Sequence, residues 1–183
     1  DAAEPGIKTT QRGFAMSEFA FYLAPSDPYC LPDEEGRAKF LALFKTVSPL
    51  PNGNGDYDYR VYDRPTPVDA GAGFEALVCP QCSERLVLFD GDGDTPHKVW
   101  WDSVLAGPRD ATVVLPCCGG SARLVDIRFH APGGFARFAV GALEPSFSEF
   151  WVDGGDHFGC LTDETLKRFE EIIGCPVLQI WEV

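Results

Sequence analysis

Two short stretches decide the reading: Val78-Cys79-Pro80-Gln81-Cys82 and Leu115-Pro116-Cys117-Cys118-Gly119-Gly120. Each follows an apolar run and leads into another, Arg85 to Phe89 after the first and Ser121 to Phe129 after the second. Aligning Cys82 with Cys118 also aligns Pro80 with Pro116. The chain therefore carries the pattern strand, tight cysteine turn, strand twice over, which is the two-knuckle layout of a zinc ribbon. Zinc takes four soft ligands in a tetrahedron, about 2.3 Å from each sulfur. A tight turn aims two thiolates at one point, and its free backbone N–H groups can donate to the sulfurs. Glycine after the last cysteine permits the sharp backbone path. Cys79, Cys82, Cys117 and Cys118 are thus the expected ligands of one structural zinc ion, in a zinc-ribbon-like subdomain spanning residues 74–130.

The second pair departs from the usual two-residue gap. Adjacent residues project apart, so Cys117 and Cys118 can share an ion only if the backbone twists there. Three cysteines with His97 or His130 form an alternative ligand set. A redox Cys-x-x-Cys is the competing chemistry, but it needs a helix N-terminus at its first cysteine, and Leu86 to Phe89 read as strand.

Working outward, Thr95-Pro96 is a helix cap and first residue. Trp101, Val104 and Leu105 give that short helix its apolar side, and Gly107-Pro108 ends it. Asp90-Gly91-Asp92-Gly93-Asp94 places carboxylates at the first three odd positions of a calcium loop. Thr95 and Trp101 then stand where glycine and a bidentate glutamate are required, so it reads as a solvated hairpin loop. Arg64 to Gly73, rich in Pro and Gly, reads as a linker. Tyr57 to Asp63 alternates like a half-exposed strand, and Ser48 to Gly55 is a loop.

Toward the N-terminus, Phe19, Phe21 and Leu23 mark one face of a strand over Glu18 to Ala24. Asp33 caps a helix with Glu34 and Glu35 in its first turn. Phe40, Leu43, Phe44 and Val47 form that helix's stripe. Asp1 to Ala15 is polar and aperiodic and reads as a foreign or disordered arm, with Met16 the expected start of a single domain over 16–183. Toward the C-terminus, Ser121 to Phe129 and Phe135 to Leu143 read as antiparallel neighbours, and Ser146 to Val152 as a short strand. Thr162 caps a helix whose staple is Leu161 with Leu166. Leu166, Phe169, Ile172 and Ile173 form its stripe, Gly174 ends it, and Val177 to Val183 is a last strand. Strands outnumber helices without regular alternation. The expected class is α+β, an antiparallel or mixed sheet covered by helices, with the zinc-ribbon-like element inserted.

The net charge of −13 repels nucleic acid and anionic membranes and attracts basic partners. No apolar run reaches the length of a membrane span. Seven cysteines is an odd number, four of them in two tight pairs, which favours metal over a disulfide framework. Cys30, Cys160 and Cys175 are left single and read as small buried hydrophobes. These features together point to a reducing cytoplasm.

Cys79-Pro80-Gln81-Cys82, Trp100-Trp101, Leu115-Pro116-Cys117-Cys118-Gly119, Gly134-Phe135-Ala136-Arg137-Phe138 and the segment from Leu166 to Trp181 together resemble an uncharacterised family of small bacterial proteins. The resemblance runs from about Phe74 to the end. It implies the zinc knuckles and a bacterial cytosolic origin, and it supplies no catalytic residue.

Three functional expectations follow. The first is a non-catalytic, zinc-stabilised acidic protein that binds a basic protein, in its sharpest form an immunity- or antitoxin-like inhibitor of a basic toxin. The second is a small enzyme using Asp156, His157 and Cys160, or a zinc ion with an open position. The third is a nucleic-acid-binding ribbon, which the charge disfavours unless Arg85, Arg109, Arg123, Arg128 and Arg137 form a patch.

Overall fold

The computed structural model describes residues 19–51, 57–90, 93–146, 148–153 and 159–182. The N-terminal arm with Met16, Gly91, Asp92, Phe147, Asp156 and His157 lie outside the described residues. In chain order the elements begin β1 (Ala20–Pro25), α1 (Glu34–Val47), β2 (Tyr57–Val68), β3 (Ala76–Val78), β4 (Arg85–Val87) and α2 (Pro96–Leu105). They continue β5 (Thr112–Val114), β6 (Ser121–Arg123), β7 (Arg128–Phe129), β8 (Gly134–Leu143), β9 (Trp151–Asp153), β10 (Gly159–Leu161), α3 (Asp163–Ile173) and β11 (Val177–Glu182). The class is α+β, as expected.

The main sheet has the order β11-β1-β8-β2, and every neighbouring pair in it is antiparallel. β1 is a central strand, so all six of its residues are buried. One face carries Phe21 and Leu23 with Phe138, Val140 and Ala142, packed against Phe40, Phe44 and Val47 of α1 and Phe169 of α3. The opposite face is built from Ala20, Tyr22, Ala24, Ala136, Ala139 and Ile180. The helix ends form as their sequences dictate. Asp33 Oδ1 accepts from the Gly36 N–H at 2.7 Å, and Thr162 Oγ1 accepts from the Thr165 N–H at 3.2 Å. Gly174 closes α3 at φ +74°, a left-handed conformation that costs glycine little.

The second face turns on Gly141, which lies across the ladder from both Tyr22 and Asp58. A Cβ at Gly141 would stand 2.2 Å from the Tyr22 ring, so only glycine lets that ring lie on the sheet. The Tyr22 hydroxyl donates to Asp58 at 3.0 Å and accepts from Arg60 at 2.8 Å. Burial, more than any charge, raises the Tyr22 pKa.

Three expectations need correction. Arg64 to Gly73 is not a linker throughout, because β2 runs on to Val68 and pairs with β8 down to Gly134. The prolines are tolerated there because β2 is an edge strand and its register shifts between Val61 and Thr66, where a bulge needs no ladder N–H. Ser121 to Phe129 is not one strand. A 3-10 turn at Leu124–Asp126 divides it, and Leu124, Val125 and Ile127 are all buried rather than alternating. β8 is not the partner of β7. It pairs with β1 and β2, while β7 pairs with β3.

Residues 69–133 therefore leave the main sheet at the end of β2 and return at the start of β8. They contain a second core of Phe74, Leu77, Cys79, Leu86, Leu88, Trp101, Val113, Leu115, Leu124, Val125 and Ile127, which also takes in Phe135 from β8. Two small ladders, β4-β3-β7 and β5-β6, carry the cysteine turns at their ends.

Candidate metal centre

The β3–β4 and β5–β6 hairpins are closed by the same backbone loop. In the first, the Cys79 N–H donates to the Glu84 carbonyl at 2.9 Å and the Ser83 N–H to the Cys79 carbonyl at 3.0 Å. In the second, the Leu115 N–H donates to the Gly120 carbonyl at 2.8 Å and the Gly119 N–H to the Leu115 carbonyl at 2.9 Å. Ser83 at φ +63° and Gly119 at φ +69° occupy equivalent left-handed positions. Pro80 matches Pro116, and Cys82 matches Cys118.

The repeat also shows how adjacent cysteines can face one point. The equivalent of Cys79 is Leu115, which is fully buried and fills the core in place of a thiol. The missing thiol comes from Cys117, at the position of Gln81. Residues 116–118 form one helical turn, bonded from Gly119 back to Leu115. On such a turn neighbouring side chains diverge by about 100° rather than pointing to opposite sides as in a strand. That is the twist the sequence required. Gln81, left without a ligand role, ties the two loops together by donating from its side chain to the Ser121 carbonyl at 3.1 Å.

The four sulfurs converge, all within 4.8 Å of one another. Cys79 Sγ lies 3.9 Å from Cys118 Sγ, and Cys82 Sγ lies 3.6 Å from Cys117 Sγ. A regular tetrahedron with metal–sulfur bonds of about 2.3 Å has sulfur–sulfur edges of about 3.8 Å. The donor set and its spacing fit one tetrahedral ion. Cys79 is buried, Cys117 half-buried, and Cys82 and Cys118 are exposed, so the ion would sit at the rim of the second core.

The electrostatics divide the thiols. Burial works against ionisation of Cys79, but the N–H groups of Cys82 and Gln81, each 3.4 Å from its sulfur, bring its pKa down to about 6. Cys117 is pushed up to about 12, first by burial and then by hydrogen bonds with the other three thiols. The Glu84 backbone favours the Cys82 thiolate, yet its hydrogen bond with Cys79 and burial outweigh this and raise its pKa.

A pH dependence follows. Metal binding requires thiolates. Near neutral pH Cys79 is already ionised, whereas Cys82 and Cys117 must each give up a proton. Lowering the pH restores those protons and opposes binding. With at least two protons released, apparent affinity falls at least about hundredfold for each pH unit below the Cys82 and Cys117 values. Competition against a chelator at about pH 7 and about pH 8 measures this, and an affinity that does not change would show that these thiols are not ligands.

The other candidates fall elsewhere. Neither His97 nor His130 belongs to the cysteine group, and His97 Nδ1 lies 3.3 Å from the Val87 carbonyl. The described residues at the ends of the Asp90 loop form an isolated bridge between Phe89 and Asp94, and the Asp90 N–H donates to the Gly93 carbonyl at 3.4 Å. Cys160 sits in β10 opposite Val152. Cys30, Cys160 and Cys175 are half-buried rather than core residues, and two of them meet, Cys30 Sγ to Cys175 Sγ at 3.3 Å. Nothing in the local sequence of either announces that pairing. Among the named arginines, Arg85 and Arg123 pair with Glu75 and Asp126, and Arg128 donates to the Cys79 carbonyl.

Comparison with known proteins gives no match to a family model, to a curated protein or to a solved structure. Among the described residues no helix is long and apolar enough to cross a membrane.

Proposed function

We propose that Cys79, Cys82, Cys117 and Cys118 hold one zinc ion as a structural brace. We propose further that the protein is a non-catalytic, acidic binding protein for a basic protein partner. The observation that carries the metal reading is the convergence of four sulfurs at tetrahedral spacing. Four thiolates saturate zinc, leaving no position for the water that a catalytic zinc activates. The net charge of −13 supports the partner reading, since charge complementarity speeds association with a basic surface. An immunity- or antitoxin-like inhibitor of a basic toxin is the sharpest form of this reading. A bacterial cytoplasmic setting, where thiols stay reduced, belongs to the same proposal.

Metal analysis with X-ray absorption tests the first part. One zinc per chain with four sulfur neighbours is the expected result. Three sulfurs with one nitrogen or oxygen would expose an open position and transfer the reading to an enzyme. Purified basic toxin proteins test the second part. Saturable one-to-one binding whose association rate falls steeply with salt supports it. Weak, non-saturating, salt-labile retention overturns it.

A further inference from the structure

Among the described residues outside the four-cysteine cluster, the fold brings one pair of thiols together. Cys30 lies between β1 and α1, and Cys175 directly follows the Gly174 cap of α3. The β1–β11 ladder ends at Pro25 opposite Val177, and the Ser26 N–H extends it by donating to the Pro176 carbonyl at 2.9 Å. The same register carries the two cysteine segments past each other. The sulfurs stand 3.3 Å apart, with the Cys175 thiol donating to Cys30. Both residues are half-buried, so a small reagent reaches them. A disulfide needs about 2.05 Å between sulfurs, a closure of about an ångström that side-chain rotation can supply.

We propose that Cys30 and Cys175 form a reversible, oxidisable dithiol whose disulfide pins the segment before α1 to the segment after α3. The oxidant is a low-molecular-weight disulfide. Burial, then the hydrogen bond to Cys30, push the Cys175 thiol up to about 12, so Cys30 attacks first. Its thiolate displaces one half of the reagent as a thiolate, which takes up the proton Cys30 released. Cys175 then attacks the Cys30 sulfur and passes its own proton to the second departing thiolate. Two electrons move from the protein to the reagent, and one protein disulfide and two small thiols result. Such transient, sensing disulfides are the kind found in reducing compartments.

The test treats the protein as purified with oxidised glutathione, alkylates the remaining thiols and digests with trypsin. The digest separates every cysteine group: Cys30 falls on residues 13–37, Cys175 on 169–183, Cys160 on 138–167, and the two metal pairs on 61–85 and 110–123. The expected product is a crosslink between 13–37 and 169–183, reversed by dithiothreitol. Closing so long a loop raises the melting temperature by roughly 10 °C, and Cys30→Ser or Cys175→Ser abolishes that rise. Stable glutathione adducts on Cys30 or Cys175 without the crosslink, or oxidation confined to other cysteines, would overturn the proposal. A crosslink that leaves the melting temperature unchanged would overturn the pinning. The peptide assignment keeps this result separate from any failure of the metal centre.

Discussion

Chelation of the zinc-loaded protein is expected to loosen residues 74–130 while the main sheet keeps its protection. The two cysteine hairpins have strands of only three residues, too short to hold without help. What joins their turns is the sulfur cluster and the Gln81 side chain. Without an ion, an ionised Cys79 sits buried beside the Cys82 and Cys117 thiols, whose pKa values are raised. Structural zinc contributes about 10–16 kcal/mol of binding free energy in small zinc modules. Loss of even about 3 kcal/mol of local stability speeds amide exchange roughly hundredfold. Hydrogen exchange before and after chelation reads this directly. The amides of β3, β4, β5 and β6 should accelerate, while β1 and β8, paired on both sides, should not. Unchanged exchange across 74–130 in protein shown to be metal-free would remove the brace.

Trp101→Ala is expected to cost about 3–5 kcal/mol, the range for deleting a large buried aromatic side chain. Trp101 is 3% exposed and stands at the centre of the second core. Its ring lies 6.4 Å from Phe74, 6.1 Å from Phe129 and 6.0 Å from Phe135. Phe135 belongs to β8, so the tryptophan also couples the inserted hairpins to the main sheet. Phe129 and Phe135 are anchored on separate ladders and cannot both collapse into the space, which places the cost toward the upper end. Urea denaturation measures it, and Trp101→Phe should recover a large part. A loss below about 1 kcal/mol would mean that the second core does not depend on this ring.

Much of this molecule was legible in the chain. Asp33, Thr95, Thr162 and Gly174 announced three helices because capping is a local reaction of a side chain with the nearest backbone N–H or C=O. The match of Pro80 with Pro116 and of Cys82 with Cys118 gave the repeated turn for the same reason, since each loop closes on itself within a few residues. Pairing is not local. Ser121 to Phe129 has the apolar content of one strand, but its two halves belong to different ladders, and only the tertiary arrangement divides them. The proline-rich end of β2 became strand because β8 lies beside it and the sheet edge spares the missing N–H. How Cys117 faces the same point as Cys118 became clear only once Leu115 was seen to occupy the core, and Cys30 met Cys175 only through the register of β1 with β11. The sequence by itself determined the helices, the turns and the four thiols, through contacts a few residues apart. The tertiary structure alone decided which strands pair, how adjacent cysteines face one point, and which remaining thiols meet, because those depend on contacts between distant segments that no local pattern encodes.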